Sequence, residues 1–178
     1  MNFLTGSSAL ILVSLAALAL SSPVLAGASS TARWTGVVTH VVDGDTVRVQ
    51  PPEGGKPVSI RIDGIDAPEI CQAGGMATRD ALQRRILGKR VVIQGKVRDD
   101  YGRTVGSVFL KGQDQGQWLV TQGLAWSYRY RNNAGPYAVQ QGLAQAAGLG
   151  LFAHPHGAAP VYPADFRKKH ASCYARYR

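Results

Sequence analysis

The sequence predicts an α+β fold, mainly β, in which five strands close into a small barrel accompanied by three helices. Segments in which apolar and polar residues alternate are typical of strands with one buried face. Segments in which apolar residues recur every three or four positions are typical of amphipathic helices. The segments occur in the order β-β-β-α-β-β-α-α, which favours a small antiparallel barrel with helices.

The predicted strands follow one another with turn signals between them. Asp43-Gly44 is a strong hairpin-turn pair between the first two strands, and Asp99-Asp100-Tyr101-Gly102 joins the last two. Alternation in the third strand places Arg61 on the face opposite Ile60 and Ile62. The five strands are predicted at residues 34–42, 46–50, 58–63, 90–97 and 104–110.

The predicted helices are bounded by glycine and proline. They cover residues 76–87, 115–122 and 136–147. Gly88 and Gly148 follow the first and third helices as natural stops, and Pro136 stands at a first-turn position where proline is tolerated. Strands and helices in this order predict a barrel of the five-stranded oligonucleotide-binding type, the OB-fold.

Composition divides the chain into four parts. Residues 1–26 contain no charged side chain and end in small residues, which is the pattern of a secretory signal peptide; an uncleaved anchor is the alternative. Residues 27–33 form a flexible lead-in, and residues 34–152 hold the predicted domain. Residues 153–178 form a basic tail, expected to be irregular where it packs over the domain and loose at its end.

The net charge of +9 lies entirely outside the predicted signal peptide. Such a basic surface favours polyanionic partners, either nucleic acid or an anionic envelope surface. Charge alone does not choose between these partners, and it also serves simply to keep a protein soluble.

The chain has two cysteines, Cys71 and Cys173. In an exported protein they can pair, which would tie the C-terminal tail to the loop after Glu69. The sequence leaves open whether they do, because pairing depends on their separation in the fold.

Two acidic stretches contain the carboxylates best placed for metal chemistry. Asp45 stands where a hairpin turn enters a strand, and Asp66 follows the strand that carries Arg61. If these strands are neighbours, the two carboxylates converge, and with a backbone carbonyl and water they suit a hard cation such as Ca²⁺. Neither stretch contains His or Cys, which argues against zinc. Each stretch taken singly is also an ordinary turn former.

Two arginines add a second kind of chemistry. Arg61 lies five positions before Asp66, and Arg103 follows a turn. Guanidinium groups match the oxygens of a phosphodiester bidentately and stabilise the charge that develops when water attacks it. A single surface arginine more often makes only an ion pair.

Three short motifs occur in a defined order along the predicted barrel. They are Asp43-Gly44-Asp45-Thr46-Val47, Arg61 with Gly64-Ile65-Asp66-Ala67-Pro68-Glu69, and Asp100-Tyr101-Gly102-Arg103. In this order and approximate spacing they resemble the staphylococcal nuclease-like (thermonuclease) family. The resemblance extends from about Trp34 to Phe152. Each motif alone is weak evidence, whereas the ordered set is strong.

The resemblance implies a metal site and a water-activating group. It implies an OB-fold barrel in which Ca²⁺ is held by the side chains of Asp45 and Asp66 and by the backbone carbonyl at Ala67. It also implies that Glu69 positions the attacking water and is the candidate for its general base. This sequence has Ala67 where the founding member has Thr, which a backbone ligand tolerates.

The resemblance also implies a phosphate and nucleotide site. Arg61 and Arg103 would bind the scissile phosphate and stabilise its transition state. Tyr101 and Tyr128 would contact the nucleotide, and Tyr130 shares a strand-like face with Tyr128 and is included with them. Asp100 stands where the founding member has a Lys, and the loop after Glu69 is shorter, so substrate contacts there differ.

These features predict an exported, calcium-dependent nuclease, periplasmic or secreted, that cleaves DNA and RNA with little sequence specificity and leaves 3′-phosphate ends. It is expected to be a monomer without stable membrane insertion after signal cleavage. One alternative is a non-catalytic OB-fold module that binds nucleic acid or protein, and another is an envelope protein whose basic tail binds anionic surfaces. His154 and His156 alternate in the tail, but this is a weak metal signal, better explained as exposed polar residues.

Overall fold

The computed structural model describes residues 33–131, 133–153, 159–170 and 173. The predicted signal peptide, nearly all of the lead-in and the His154-Pro155-His156 segment lie outside the described residues. The strands are β1 Arg33–Val41, β2 Thr46–Gln50, β3 Val58–Ile62, β4 Ile65–Asp66, β5 Arg90–Arg98, β6 Thr104–Leu110, β7 Gln113–Asp114 and β8 Trp126–Ser127. The helices are α1 Gly75–Ile86, α2 Gln115–Thr121, α3 Ala138–Ala146 and α4 Pro163–His170, with a 3₁₀ turn at Gly150–Phe152.

Five long strands form a closed barrel, as the sequence predicted. The strand order is β3-β2-β1-β5-β6, and β3 also pairs with β6 to close the ring. The closing pair is parallel, whereas the other four pairs in the ring are antiparallel. Strand direction cannot alternate all the way round a ring with an odd number of members, so one parallel pair is unavoidable.

The barrel interior is filled by aliphatic side chains from alternate strand positions. Leu82 and Ile86 of α1 and Leu119 of α2 are fully buried against them, so these helices close the barrel as amphipathic elements. Gly106 faces Gly95 across β5 and β6, and a Cβ there would lie 2.4 Å from the carbonyl oxygen of Gln94. Glycine therefore allows the close strand approach that the barrel's curvature requires.

The C-terminal segment differs from its prediction, because residues 163–170 form helix α4 rather than an irregular segment. The sequence does carry helix signals there. Pro163 is the first helical residue, Asp165 is in the first turn, and Arg167, Lys168, Lys169 and His170 form the last turn. Both charge positions complement the helix dipole. The described part of the chain contains no helix long and apolar enough to cross a membrane.

Two contacts hold α4 against the domain. Tyr162, directly before the helix, makes an edge-to-face contact with Trp126 at 5.9 Å between ring centroids, and Trp126 makes a second such contact with Phe152. Beyond the helix, Cys173 is buried and bonded to Cys71, with their Cα atoms 5.7 Å apart. The disulfide that the sequence left open is thus formed and ties the tail to the loop after Glu69.

Candidate active site

The two acidic stretches meet because β2 and β3 are neighbours. Thr46 pairs with Arg61 in the antiparallel register, and the backbone N–H of Ile62 donates to the carbonyl of Asp45 at 2.7 Å. Asp43 supports the turn, since its Oδ1 accepts a hydrogen bond from the backbone N–H of Asp45 at 3.0 Å. The turn delivers Asp45 into the strand with its carboxylate facing the end of β4.

Asp45 and Asp66 converge on a single guanidinium. Arg61 Nη1 lies 2.9 Å from Asp45 Oδ2, and Arg61 Nη2 lies 3.5 Å from Asp66 Oδ1. The backbone N–H of Ala67 donates to Asp45 Oδ2 at 3.1 Å, and the hydroxyl of Thr46 donates to Asp45 Oδ1 at 3.0 Å. The structure therefore brings together the side chains of Asp45, Asp66 and Arg61 and the backbone at Ala67.

Burial governs the ionisation of this cluster. It raises the pKa of Asp45 to about 7, opposed by Arg61 and assisted by the charges of Asp43 and Asp66. Burial also acts to lower the pKa of Arg61, but Asp45 and Asp66 outweigh it and the pKa of Arg61 rises overall. The negative charge on Asp45 is thus incompletely compensated by its arginine partner.

This donor set suits a hard divalent cation. Asp45 and Asp66 offer oxygen donors, which Ca²⁺ prefers, and their buried negative charge favours an additional cation. No group of three or more His, Cys, Asp or Glu side chains in the described residues is arranged to hold a metal. A cation bound here would therefore complete its shell with main-chain and water oxygens.

Another arginine, Arg167, contacts Asp66 and Glu69, and sequence reasoning missed it. Arg167 of α4 donates from Nη1 to Asp66 Oδ1 and from Nη2 to Asp66 Oδ2, both at 3.2 Å, and its Nη1 lies 2.9 Å from Glu69 Oε1. Burial acts to lower the pKa of Arg167, but its hydrogen bonds to Asp66 and Glu69 raise it overall. One signal was present in the sequence: a Cys71–Cys173 bond brings the chain beyond Glu69 close to the chain beyond Arg167.

Arg103 reaches the cleft from the turn between β5 and β6. Its Nε donates to Asp99 Oδ2 at 2.7 Å, and its Nη1 lies at 3.5 Å from the hydroxyl of Thr46. Slight burial acts to raise the pKa of Asp99, but hydrogen bonds from the side chain and backbone of Arg103 lower it overall. Asp99 therefore anchors Arg103 by Nε while most of the fork stays available to a ligand.

These side chains surround a cleft of about 740 Å³. Tyr101, which is 85% exposed, and Tyr128 line it, together with Arg61, Arg103 and Glu69. Three predicted site residues do not line the cleft. Asp66 and Ala67 are buried, and Tyr130 is exposed and bridges to Asn133.

Comparison with known proteins identifies the family of this chain. Residues 59–154, just over half of the chain, match the family model described as staphylococcal nuclease homologue. The chain belongs to the staphylococcal nuclease family. This confirms the predicted resemblance and makes the chain a nuclease, a hydrolase. Of the site residues, Arg61, Asp66, Glu69 and Arg103 lie within the family segment, whereas Arg167 lies beyond it.

Relatives of this nuclease extend the similarity over most of the chain. An "Uncharacterized endonuclease" of Haemophilus influenzae is 33% identical over 132 residues, covering 74% of this chain and 72% of the relative. A "Micrococcal nuclease" of Shigella flexneri is 31% identical over 161 residues, covering 84% and 91%. A "Staphylococcal-like nuclease CAN1" of Arabidopsis thaliana is 30% identical over 113 residues, covering 64% of this chain and 34% of the relative.

Proposed function

We propose that this nuclease is an exported, Ca²⁺-dependent enzyme that hydrolyses phosphodiester bonds of DNA and RNA with little sequence specificity and leaves 3′-phosphate ends. The observation that carries the proposal is the convergence of two buried carboxylates with two arginines at one open cleft. Negative groups for a cation and positive groups for a phosphate are thus adjacent, as hydrolysis of a phosphodiester requires.

The proposed cation ligands are the side chains of Asp45 and Asp66 and the backbone carbonyl of Ala67. When bound, Ca²⁺ would neutralise charge on the phosphate and favour ionisation of water. Asp45 is prepared for this role by its turn, its hydrogen bonds from Ala67 and Thr46, and its burial.

The proposed catalytic side chains are Glu69, Arg61 and Arg103. Glu69 orients the attacking water and accepts its proton as the new P–O bond forms. Arg61 and Arg103 donate to the phosphate oxygens as their negative charge grows, and the 5′-oxygen departs and is protonated by solvent. Arg103 suits this role because Asp99 fixes it through Nε and leaves most of the fork for the ligand.

The proposed nucleotide contacts are aromatic. Tyr101 and Tyr128 line the cleft, and an exposed ring stacks on any base, which supports low sequence specificity. Tyr130 stands farther along the exposed surface and would contact an adjacent nucleotide. The net charge of +9 favours the polyanion and accelerates its encounter with the cleft.

The proposed location is outside the cytoplasm, in the periplasm or the medium, and the proposed state is a monomer. The signal-like residues 1–26 and the Cys71–Cys173 disulfide support export, because disulfides persist in oxidising compartments. Detection of the processed chain in periplasmic or medium fractions, with mass spectrometry of its N-terminus, tests this part. Recovery only in the cytoplasm would contradict it.

The activity is tested on single-stranded DNA and on RNA, with Ca²⁺ supplied or removed by a chelator. We expect cleavage only with the cation, and products whose 3′ ends are labelled only after phosphatase treatment. Glu69→Ala and Arg103→Ala should lose activity, and Lys168→Ala, which removes an exposed charge on α4, should keep it. Undiminished activity in the first two would refute the site assignment. Tight oligonucleotide binding without products at any Ca²⁺ concentration would instead favour the non-catalytic binding module.

A further inference from the structure

Arg167 covers a carboxylate that the proposed function needs for the cation. Asp66 is completely inaccessible to solvent, and each of its two oxygens accepts a hydrogen bond from Arg167 at 3.2 Å. The same Nη1 also contacts Glu69. One guanidinium therefore occupies both a proposed cation ligand and the proposed water-positioning group.

Arg167 lines the cleft, and within it both of its Nη atoms donate to carboxylates. The Nε of Arg103 donates to Asp99, and most of the Arg103 guanidinium faces the cleft, as a phosphate ligand requires. In Arg167, Nη1 donates to both Asp66 and Glu69, and Nη2 donates to Asp66. Arg167 is therefore a counter-ion of these carboxylates, as Arg61 is of Asp45 and Asp66.

Arg167 is also more readily displaced than Arg61, the other cation on Asp66. The side chain of Arg61 is 18% exposed, and its Nη1 donates to the backbone carbonyls of Ile62 and Ile65 at 3.1 and 3.2 Å. The side chain of Arg167 is 40% exposed and projects from a helix of eight residues at the surface. Arg61 is thus part of the barrel wall, whereas Arg167 can leave Asp66 by rotating into solvent.

The chain on both sides of Arg167 is tied down close to the site. Tyr162 packs on Trp126 before the helix, and Cys173 is bonded to Cys71, two residues beyond Glu69. These anchors keep the guanidinium at a high effective concentration beside Asp66. A displaced Arg167 would therefore remain near and return when the carboxylates become free.

We propose that Arg167 is a positioning residue that holds Asp66 and Glu69 together before the cation binds and competes with the cation for Asp66. This inference rests on the proposed function, because it concerns the same Ca²⁺ site. A guanidinium and a divalent cation seek the same carboxylate oxygens and repel each other, so binding of one weakens binding of the other. The C-terminal helix and its disulfide thereby set the cation affinity of the nuclease.

Calorimetric titration of Ca²⁺ into the purified, oxidised protein tests this directly, because it measures cation affinity without reference to activity. Arg167→Gln should bind Ca²⁺ about tenfold more tightly, since the cation no longer displaces a paired guanidinium. Arg167→Lys keeps the charge without the two parallel donors and should lie between the two. Lys168→Gln is the matched control, because it removes one positive charge from the next residue of α4. Among the described contacts, the Lys168 side chain pairs only with Asp165. This variant should bind Ca²⁺ as tightly as the wild type does.

A second variant addresses the tether. Exchange of both Cys71 and Cys173 for Ser lowers the effective concentration of Arg167 and should strengthen Ca²⁺ binding by less than Arg167→Gln does. In nuclease assays, the Ca²⁺ concentration that gives half-maximal activity should fall in the same order across the variants.

The outcomes separate this inference from the proposed function. Wild-type binding with unchanged or weaker affinity in Arg167→Gln would overturn the inference alone. Unchanged Ca²⁺ affinity with weakened oligonucleotide binding would make Arg167 a phosphate ligand and would also overturn it. If neither the wild type nor Arg167→Gln bound Ca²⁺, both the proposed cation site and the inference would be wrong.

Discussion

Arg61 and Arg167 both place a guanidinium on Asp66, but they reach it from parts of the molecule that are held in different ways. Arg61 belongs to β3, and its guanidinium is fixed in direction by hydrogen bonds that it donates to the backbone carbonyls of Ile62 and Ile65. Arg167 belongs to α4, which lies beyond the family segment and is held by side-chain contacts, among them the Tyr162–Trp126 ring contact, and by the Cys71–Cys173 disulfide. The same chemical group is therefore held firmly in the barrel wall in one region and is displaceable in the other.

The largest expected effect lies on the barrel side. Arg61→Gln should lower the free energy of unfolding by about 3–5 kcal/mol, because it removes the cation paired with buried Asp45 and leaves Asp66 with Arg167. Urea unfolding monitored by tryptophan fluorescence measures this loss. Arg167→Gln should cost less than Arg61→Gln, since the side chain of Arg167 is 40% exposed and Asp66 keeps Arg61 as a partner. Equal losses of unfolding free energy in the two variants would show that Arg61 in the barrel and Arg167 in α4 stabilise the fold to the same extent.

Arg103 should separate catalysis from stability. Arg103→Ala should lower kcat about 100- to 1000-fold, the effect of losing one donor to developing charge, with little loss of stability. Steady-state cleavage of a fluorescent single-stranded oligonucleotide measures the change. Arg90→Ala, which removes an exposed arginine at the start of β5, is the matched control and should retain full activity. A similar loss in both variants would indicate a general charge effect on substrate encounter.

The disulfide should stabilise the tail more than the barrel. Exchange of Cys71 and Cys173 for Ser should lower the free energy of unfolding by about 2–4 kcal/mol, because the bond joins positions 102 residues apart. Hydrogen exchange should show α4 losing protection first, while β1–β3 retain theirs until global unfolding. Reductant should reproduce the effect in the wild type and change nothing in the double variant. Uniform loss of protection would mean that α4 and the barrel unfold together.

A further expected effect is a pH dependence from Asp45. Because burial raises its pKa to about 7, Asp45 binds a proton in the folded state over a range in which the unfolded chain has released it. Its stabilising contribution is complete below the unfolded pKa of about 4 and is lost as pH rises through about 7. In chelator, the free energy of unfolding should fall with rising pH between these limits, as the folded protein loses the proton on Asp45. Asp45→Asn should lack that fall; an identical profile would contradict the assignment.

Local sequence signals were sufficient for the barrel and for most of the site. The alternation in residues 46–50 and 58–63 predicted two strands, and their pairing placed Asp45 beside Arg61 and Asp66. Local signals were not sufficient for Asp99 as the anchor of Arg103, because Asp-Asp-Tyr-Gly was interpreted only as a turn. They were also insufficient for Arg167, whose contact with Asp66 joins positions 101 residues apart.

The sequence by itself determined the strand periodicity, the turns and the acidic and basic motifs on which the predicted resemblance to the family rests. These depend on neighbours within a few residues, where backbone geometry and side-chain alternation act. Only the tertiary structure decided that β3 and β6 are the parallel pair of the ring, that Cys71 meets Cys173 and that Arg167 covers Asp66. Such contacts depend on how the whole chain closes, because burial and charge pairing act through space between residues that are distant along the chain.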